Sequence, residues 1–155
     1  MKLDELKQAE FDELCKDILN NEDVLKMKEF CQHGHISTYD HCLKVAQDAY
    51  GLACKYKIKV DKRVLVEACL LHDFYLYDWH EASIRVPLFK MHGFTHPKKA
   101  SDNAKELLNI SDKACKAIES HMWPLTLNKM PMSKEAWLLC LCDKQCALKE
   151  TIQRL

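Results

Sequence analysis

Only three glycines and four prolines punctuate these 155 residues, and no alternating apolar and polar run bounded by turn residues is sustained. That scarcity excludes a sheet-based fold and leaves an all-α bundle as the natural reading. No apolar run approaches the roughly 20 residues needed to span a bilayer. An excess of charge of either sign is also missing, since 23 Lys and Arg balance 23 Asp and Glu. The chain therefore lacks the basic footprint of a duplex nucleic-acid binder and the acidic surplus of a solvating tail. No internal repeat or low-complexity tract occurs. Together these absences point to a cytoplasmic protein acting on a small soluble molecule, with no membrane partner; a homo-oligomer stays open.

What is present is apolar content of 48% over 155 residues, enough to bury one sizeable core and too little chain for two ordinary domains. Residues 1–32 read as N-terminal helices packing on a core formed by residues 33–155, all within one structural domain. Nine cysteines are an odd number for a disulfide framework, and most sit in apolar helical patterns, so they read as reduced core residues. A cysteine zinc site at Cys140, Cys142 and Cys146 is the sharper alternative. Cys-x-Cys on a helix points its side chains to different faces, however, and a second pair is lacking.

Helix signals divide the chain. Leu3 to Leu19 carries one apolar face and ends at Asn20-Asn21, and a second helix is expected from about Glu22 to Cys31. A third should cover Thr38 to Tyr56, and a fourth should follow the cap Asp61 and run to His72. Asp78 to Gly93 reads as partly irregular and able to cover a site. Thr95-His96-Pro97 reads as the next helix start, with Pro97 near its first position. Ser111 caps a helix reaching His121, Pro124 breaks it, and Ser133 starts the last helix.

The informative residues are histidines and aspartates arranged around one dipeptide. His72-Asp73 closes the apolar run Val64 to Leu71; His41 lies near the start of the third helix; His96 and His121 follow; and Asp143 sits in the apolar stretch Leu138-Leu139-Cys140-Leu141-Cys142. A carboxylate in such a stretch needs a partner, and a metal ion is one. Imidazole with carboxylate suits Mn, Fe, Co, Ni or Zn better than magnesium. His41, His72, Asp73 and Asp143 can furnish one metal, and the second oxygen of Asp73 can bridge to another held by His96 and His121. Two metals about 3.5–4 Å apart would activate a shared water for in-line displacement at phosphorus. Such a site needs no protein nucleophile.

On these residues the chain resembles the HD-domain superfamily of metal-dependent phosphohydrolases, whose signature is a His, a His-Asp pair and a distant Asp on different helices. The resemblance runs roughly from His33 to Thr151. It implies a single helical HD-domain bundle, with His41 as the first His, His72-Asp73 as the pair and Asp143 as the last Asp. His96 and His121 resemble the added histidines of the dinuclear branch. Asp73 is followed by Phe74-Tyr75-Leu76-Tyr77-Asp78 rather than Gly-Lys, and no Gly-Tyr-Pro occurs, so cyclic-dinucleotide hydrolysis is not supported. The chain instead looks like the short stand-alone bacterial members. The expected activity is hydrolysis of a phosphomonoester or phosphodiester of a small molecule such as a nucleotide, as a phosphatase or phosphodiesterase.

Catalytic roles fall to His72 and Asp73, with Lys144 as a point charge able to reach phosphate. In a mononuclear enzyme His96 and His121 would instead handle substrate. His33, His35, His80 and His92 read as loop residues outside the metal set, with phosphate contacts as the sharper alternative. Asp78 is a candidate acid or base, and Trp79, Trp123 and Trp137 read as core or pocket wall. Two rivals stay open: a non-catalytic nucleotide- or phosphate-binding regulatory module that keeps the metal, and a purely structural metal site that would collapse on chelation.

Overall fold

Six of the helix starts are set by side chains that turn back onto the backbone. Asp4, Asn21, Ser37, Asp61 and Ser111 accept from amides two or three residues on, and Ser133 Oγ accepts from the amide of Ala136 at 3.1 Å. Each such cap stabilises its helix by about 1 kcal/mol. The computed structural model describes residues 3–33, 36–76 and 92–152. Within them the helices are α1 Glu5–Leu19, α2 Glu22–Leu25, α3 Thr38–Lys55, α4 Lys62–Leu71, α5 His92–Leu108, α6 Asp112–Ser120 and α7 Lys134–Ile152. The fold is all-α, with one short ribbon in which β1 Cys31–His33 pairs antiparallel with β2 Ile36–Ser37.

α4 is the central element. Every residue from Val64 to Leu71 is buried, the pattern of a helix enclosed on all sides, and it packs against α3, α6, α7 and α1. Leu65, Leu70 and Leu71 from α4, Tyr50 from α3, Ile118 from α6 and Leu139 from α7 are among the fully buried side chains. α1 shares this core through Phe11, Cys15 and Ile18. Phe11 stacks on Tyr50 at 5.3 Å between centroids, and the Tyr50 hydroxyl donates to Glu10 Oε2 at 2.6 Å. All nine cysteines are free, six of them buried.

Two element boundaries differ from the sequence expectation. The helix expected from Glu22 to Cys31 is a single turn of α-helix followed by a tighter 3₁₀ turn, Lys26–Glu29, before the chain extends at Phe30 (φ −101°, ψ 130°). The cause is the start of α3, which takes the Phe30 carbonyl with the Thr38 amide at 2.8 Å and its hydroxyl at 3.2 Å. α5 begins at His92, so Pro97 lies inside its second turn. The bond it forfeits is the single one to the Gly93 carbonyl in the first turn. The expected cover over Asp78 to Gly93 falls mostly outside the described residues, as do Asp78, Trp79, His80 and His35.

Candidate metal centre

His72 and His121 reach the centre by the same local device. Each caps the C-terminus of a helix, α4 and α6 respectively. Each ring turns back to donate Nδ1–H to the carbonyl three residues earlier, His72 to Cys69 at 2.9 Å and His121 to Ile118 at 2.7 Å. The last carbonyls of a helix are open acceptors. Occupying Nδ1 in this way fixes the ring and leaves Nε2 as the nitrogen facing inward. Asp73 follows His72 in the turn after α4. The Phe74 and Tyr75 side chains are buried behind it, and the Phe74 carbonyl accepts from Asn103 Nδ2 of α5 at 2.9 Å.

His41 comes from the first turn of α3, His96 from α5 and Asp143 from α7. All six residues expected as ligands therefore converge, and all are buried. His41 Nε2 lies 3.2 Å from Asp143 Oδ1, and His72 Nε2 lies 3.5 Å from both Asp143 Oδ1 and Asp73 Oδ2. The other oxygen of Asp73 faces a different pair, with His96 Nε2 at 3.2 Å and His121 Nε2 at 3.7 Å. His96 Nε2 and His121 Nε2 are 2.9 Å apart. Three overlapping groups can each hold an ion: His41, His72 and Asp73; His72, His121 and Asp143; and Asp73, His96 and His121.

The donor atoms fit a metal. Ligands at about 2.1 Å from one ion stand roughly 3.0–3.4 Å from each other, close to the spacings here. His72 Nε2 is buried and makes no hydrogen bond among the described residues, although two carboxylates face it. A buried nitrogen set between two carboxylates needs a cation there, either a proton on the ring or a metal ion in its place.

The electrostatics point the same way. Burial pushes His72 down, but Cys42, Asp73 and Asp143 outweigh it and hold its pKa well above the ordinary histidine value. Burial also opposes the charge on His41, yet hydrogen bonds to Asp143 and Glu150 carry it to about 10. Asp73 is held below the usual carboxylate range: burial alone would raise it, and the charge of His72 with the hydrogen bond from His96 overcomes that. Asp143 is likewise depressed against burial, by the hydrogen bond from His41 and the proximity of His72. His121 is pushed down to about 3 by burial and by His96 and His72, which leaves its Nε2 a free base at ordinary pH. The carboxylates hold protons on neighbouring rings where a metal would otherwise supply the charge.

Lys144 is not in this cluster. Its ammonium donates to the His121 carbonyl at 2.7 Å and lies 3.3 Å from Cys140 Sγ. Trp123 and Trp137 stack edge to face at 5.1 Å. The backbone places His33 on β1 and His92 at the start of α5. No cysteine enters the metal-capable groups among the described residues.

Sequence reasoning missed Glu150. Its oxygens lie 2.9 and 3.1 Å from His41 Nδ1, behind the ring as seen from Asp143. The available signal was its spacing, seven residues or two helical turns beyond Asp143 on the buried face that also carries Cys142 and Cys146.

The family model of the HD domain matches residues 38–148, a span that includes all six converging residues. No curated protein and no solved structure matches the chain.

Proposed function

Since the chain belongs to the HD-domain family, a superfamily of metal-dependent phosphohydrolases, we propose that it hydrolyses a phosphomonoester or phosphodiester of a small molecule such as a nucleotide at a dinuclear centre. The observation that carries the reading is the division of Asp73, with Oδ2 toward His72 and Oδ1 toward His96 and His121. One carboxylate thus serves two histidine sets. Divalent ions of the Mn, Fe, Co, Ni or Zn type, when bound, supply Lewis-acid polarisation of phosphoryl oxygens and activation of water.

The protein's own contribution is to hold six buried nitrogen- and oxygen-donor side chains in fixed directions. His72 and His121 are locked by backbone carbonyls, and Asp73 is held by the buried turn that follows α4. Asp73 orients the attacking water between the two histidine sets. The water oxygen bonds to phosphorus and gives up a proton, the opposite P–O bond breaks, and the leaving oxygen takes up a proton. No side-chain nucleophile is required.

The test is the metal content of protein purified without a histidine tag or added metal, paired with phosphatase and phosphodiesterase assays over a nucleotide panel with Mn, Co, Ni and Mg. Near two metals per chain with metal-dependent turnover is the expected result. His72→Ala and Asp73→Ala should lose metal and turnover together, and a folded variant with full activity would sink the proposal. Retained metal with no turnover on any substrate would favour the regulatory module.

A further inference from the structure

Three of the histidines present Nε2 to the centre with Nδ1 held from behind, but not by the same kind of group. His72 and His121 use the carbonyls of their own helices. His41 cannot do so, because in the first turn of α3 the backbone carbonyls point along the helix into its own hydrogen bonds. Its Nδ1 instead meets the carboxylate of Glu150, carried by α7, with the oxygens at 2.9 and 3.1 Å. A carboxylate can only accept, so Nδ1 carries a ring proton, and Nε2 is the nitrogen turned to the centre, 3.2 Å from Asp143 Oδ1.

We propose that Glu150 is a positioning residue, fixing the His41 ring and strengthening it as a donor, so that the side of the centre formed by His41, His72, Asp73 and Asp143 is the tighter of two metal subsites. The inference rests on the dinuclear reading above. A carboxylate behind an imidazole raises its basicity as a ligand, and losing such a partner costs 10–100-fold in metal affinity. Glu150 is itself buried. Its place two turns from Asp143 means that α7 sets both carboxylates in a single register, one on each side of the His41 ring. The subsite of His96 and His121 shares Asp73 with this one, so the additional carboxylate falls on the His41 side.

The test is a competition titration of the full chain, stripped of metal, with Mn²⁺ or Co²⁺ against a chromophoric chelator. Wild type should fill in two steps, and His41→Ala identifies the step that belongs to its side. Glu150→Ala should weaken that step 10–100-fold and leave the other within about twofold. Glu150→Gln keeps the size and one accepting oxygen, and should weaken the same step by a smaller factor. It also decides the matter if Glu150→Ala does not fold. The visible spectrum of the Co²⁺ form should change only for the ion on the His41 side. Unchanged affinities in a folded Glu150→Gln protein, or equal weakening of both steps, would overturn the inference while leaving the dinuclear centre standing. A wild-type chain that binds no metal would overturn both.

Discussion

At the residue scale, two local rules account for how the ligands were visible and how they are held. His72-Asp73 stood out because it ends an apolar run, and Asp143 because a carboxylate in an apolar helix needs a partner. Neither signal reveals Glu150, whose contact with His41 spans 109 residues of sequence and depends on how α7 lies along α3. Lys144 poses a different question. Adjacency to Asp143 suggested a phosphate contact, but successive helical residues point about 100° apart, and the ammonium reaches the His121 carbonyl instead. Lys144→Met is therefore expected to lower Tm by a few degrees, the order of one hydrogen bond in a domain of this size, and to leave KM unchanged. A KM raised tenfold with Tm unmoved would restore the phosphate role. If the centre is dinuclear as proposed, His96→Ala should reduce the metal count from two to one per chain, measured by elemental analysis of the folded protein; an unaltered count would assign His96 to substrate handling.

At the element scale, what could be read from sequence was whatever is decided locally. The caps Asp61, Ser111 and Ser133 were legible because a side chain and an amide three residues away settle them. The break of the second helix was not, because the Thr38 contact that causes it comes from a later element. Glu135 illustrates the same distance effect. From the first turn of α7 it accepts the Asp61 amide at 2.8 Å and faces Lys113 Nζ at 3.4 Å, joining the starts of α4 and α7 to α6. Burial would raise its pKa, but bonds from the backbone amides of Asp61 and Glu135, then from Ser133 and Lys113, hold it below the ordinary value of 4.5. A depressed acid adds stability that is present above its unfolded pKa and lost as pH falls through the folded one. The Tm difference between wild type and Glu135→Gln should accordingly be largest near pH 6 and narrow as the pH drops below about 4.5. A gap that stays constant down to pH 3 would mean that the ionised carboxylate contributes nothing.

At the scale of the whole molecule, the centre draws its candidate ligands from α3, the turn after α4, α5, the end of α6, and α7, so a bound ion would tie together most of the bundle. Whether the fold depends on that tie is decided by what remains without it. An apolar core stands beside the centre, with Leu65, Leu70, Leu71, Ile118 and Leu139 fully buried. The buried carboxylates Asp73, Asp143 and Glu150 also have internal countercharge, because His41 and His72 hold their protons. Metal removal thus leaves a charged cluster that is largely neutralised rather than bare. A ligand present at 100 times its Kd stabilises the native state by about 2.7 kcal/mol, which in a domain of this size corresponds to a Tm rise of roughly 5–10 °C. Chelation is expected to lower Tm by that amount and to preserve a single cooperative transition with unchanged far-UV circular dichroism. Loss of the transition on chelation would instead make the ions structural, as in small zinc domains that unfold without metal, and would remove the physical reason for an open position where substrate could bind. The separation is sharp because a catalytic centre must exchange ligands while the bundle around it stays folded.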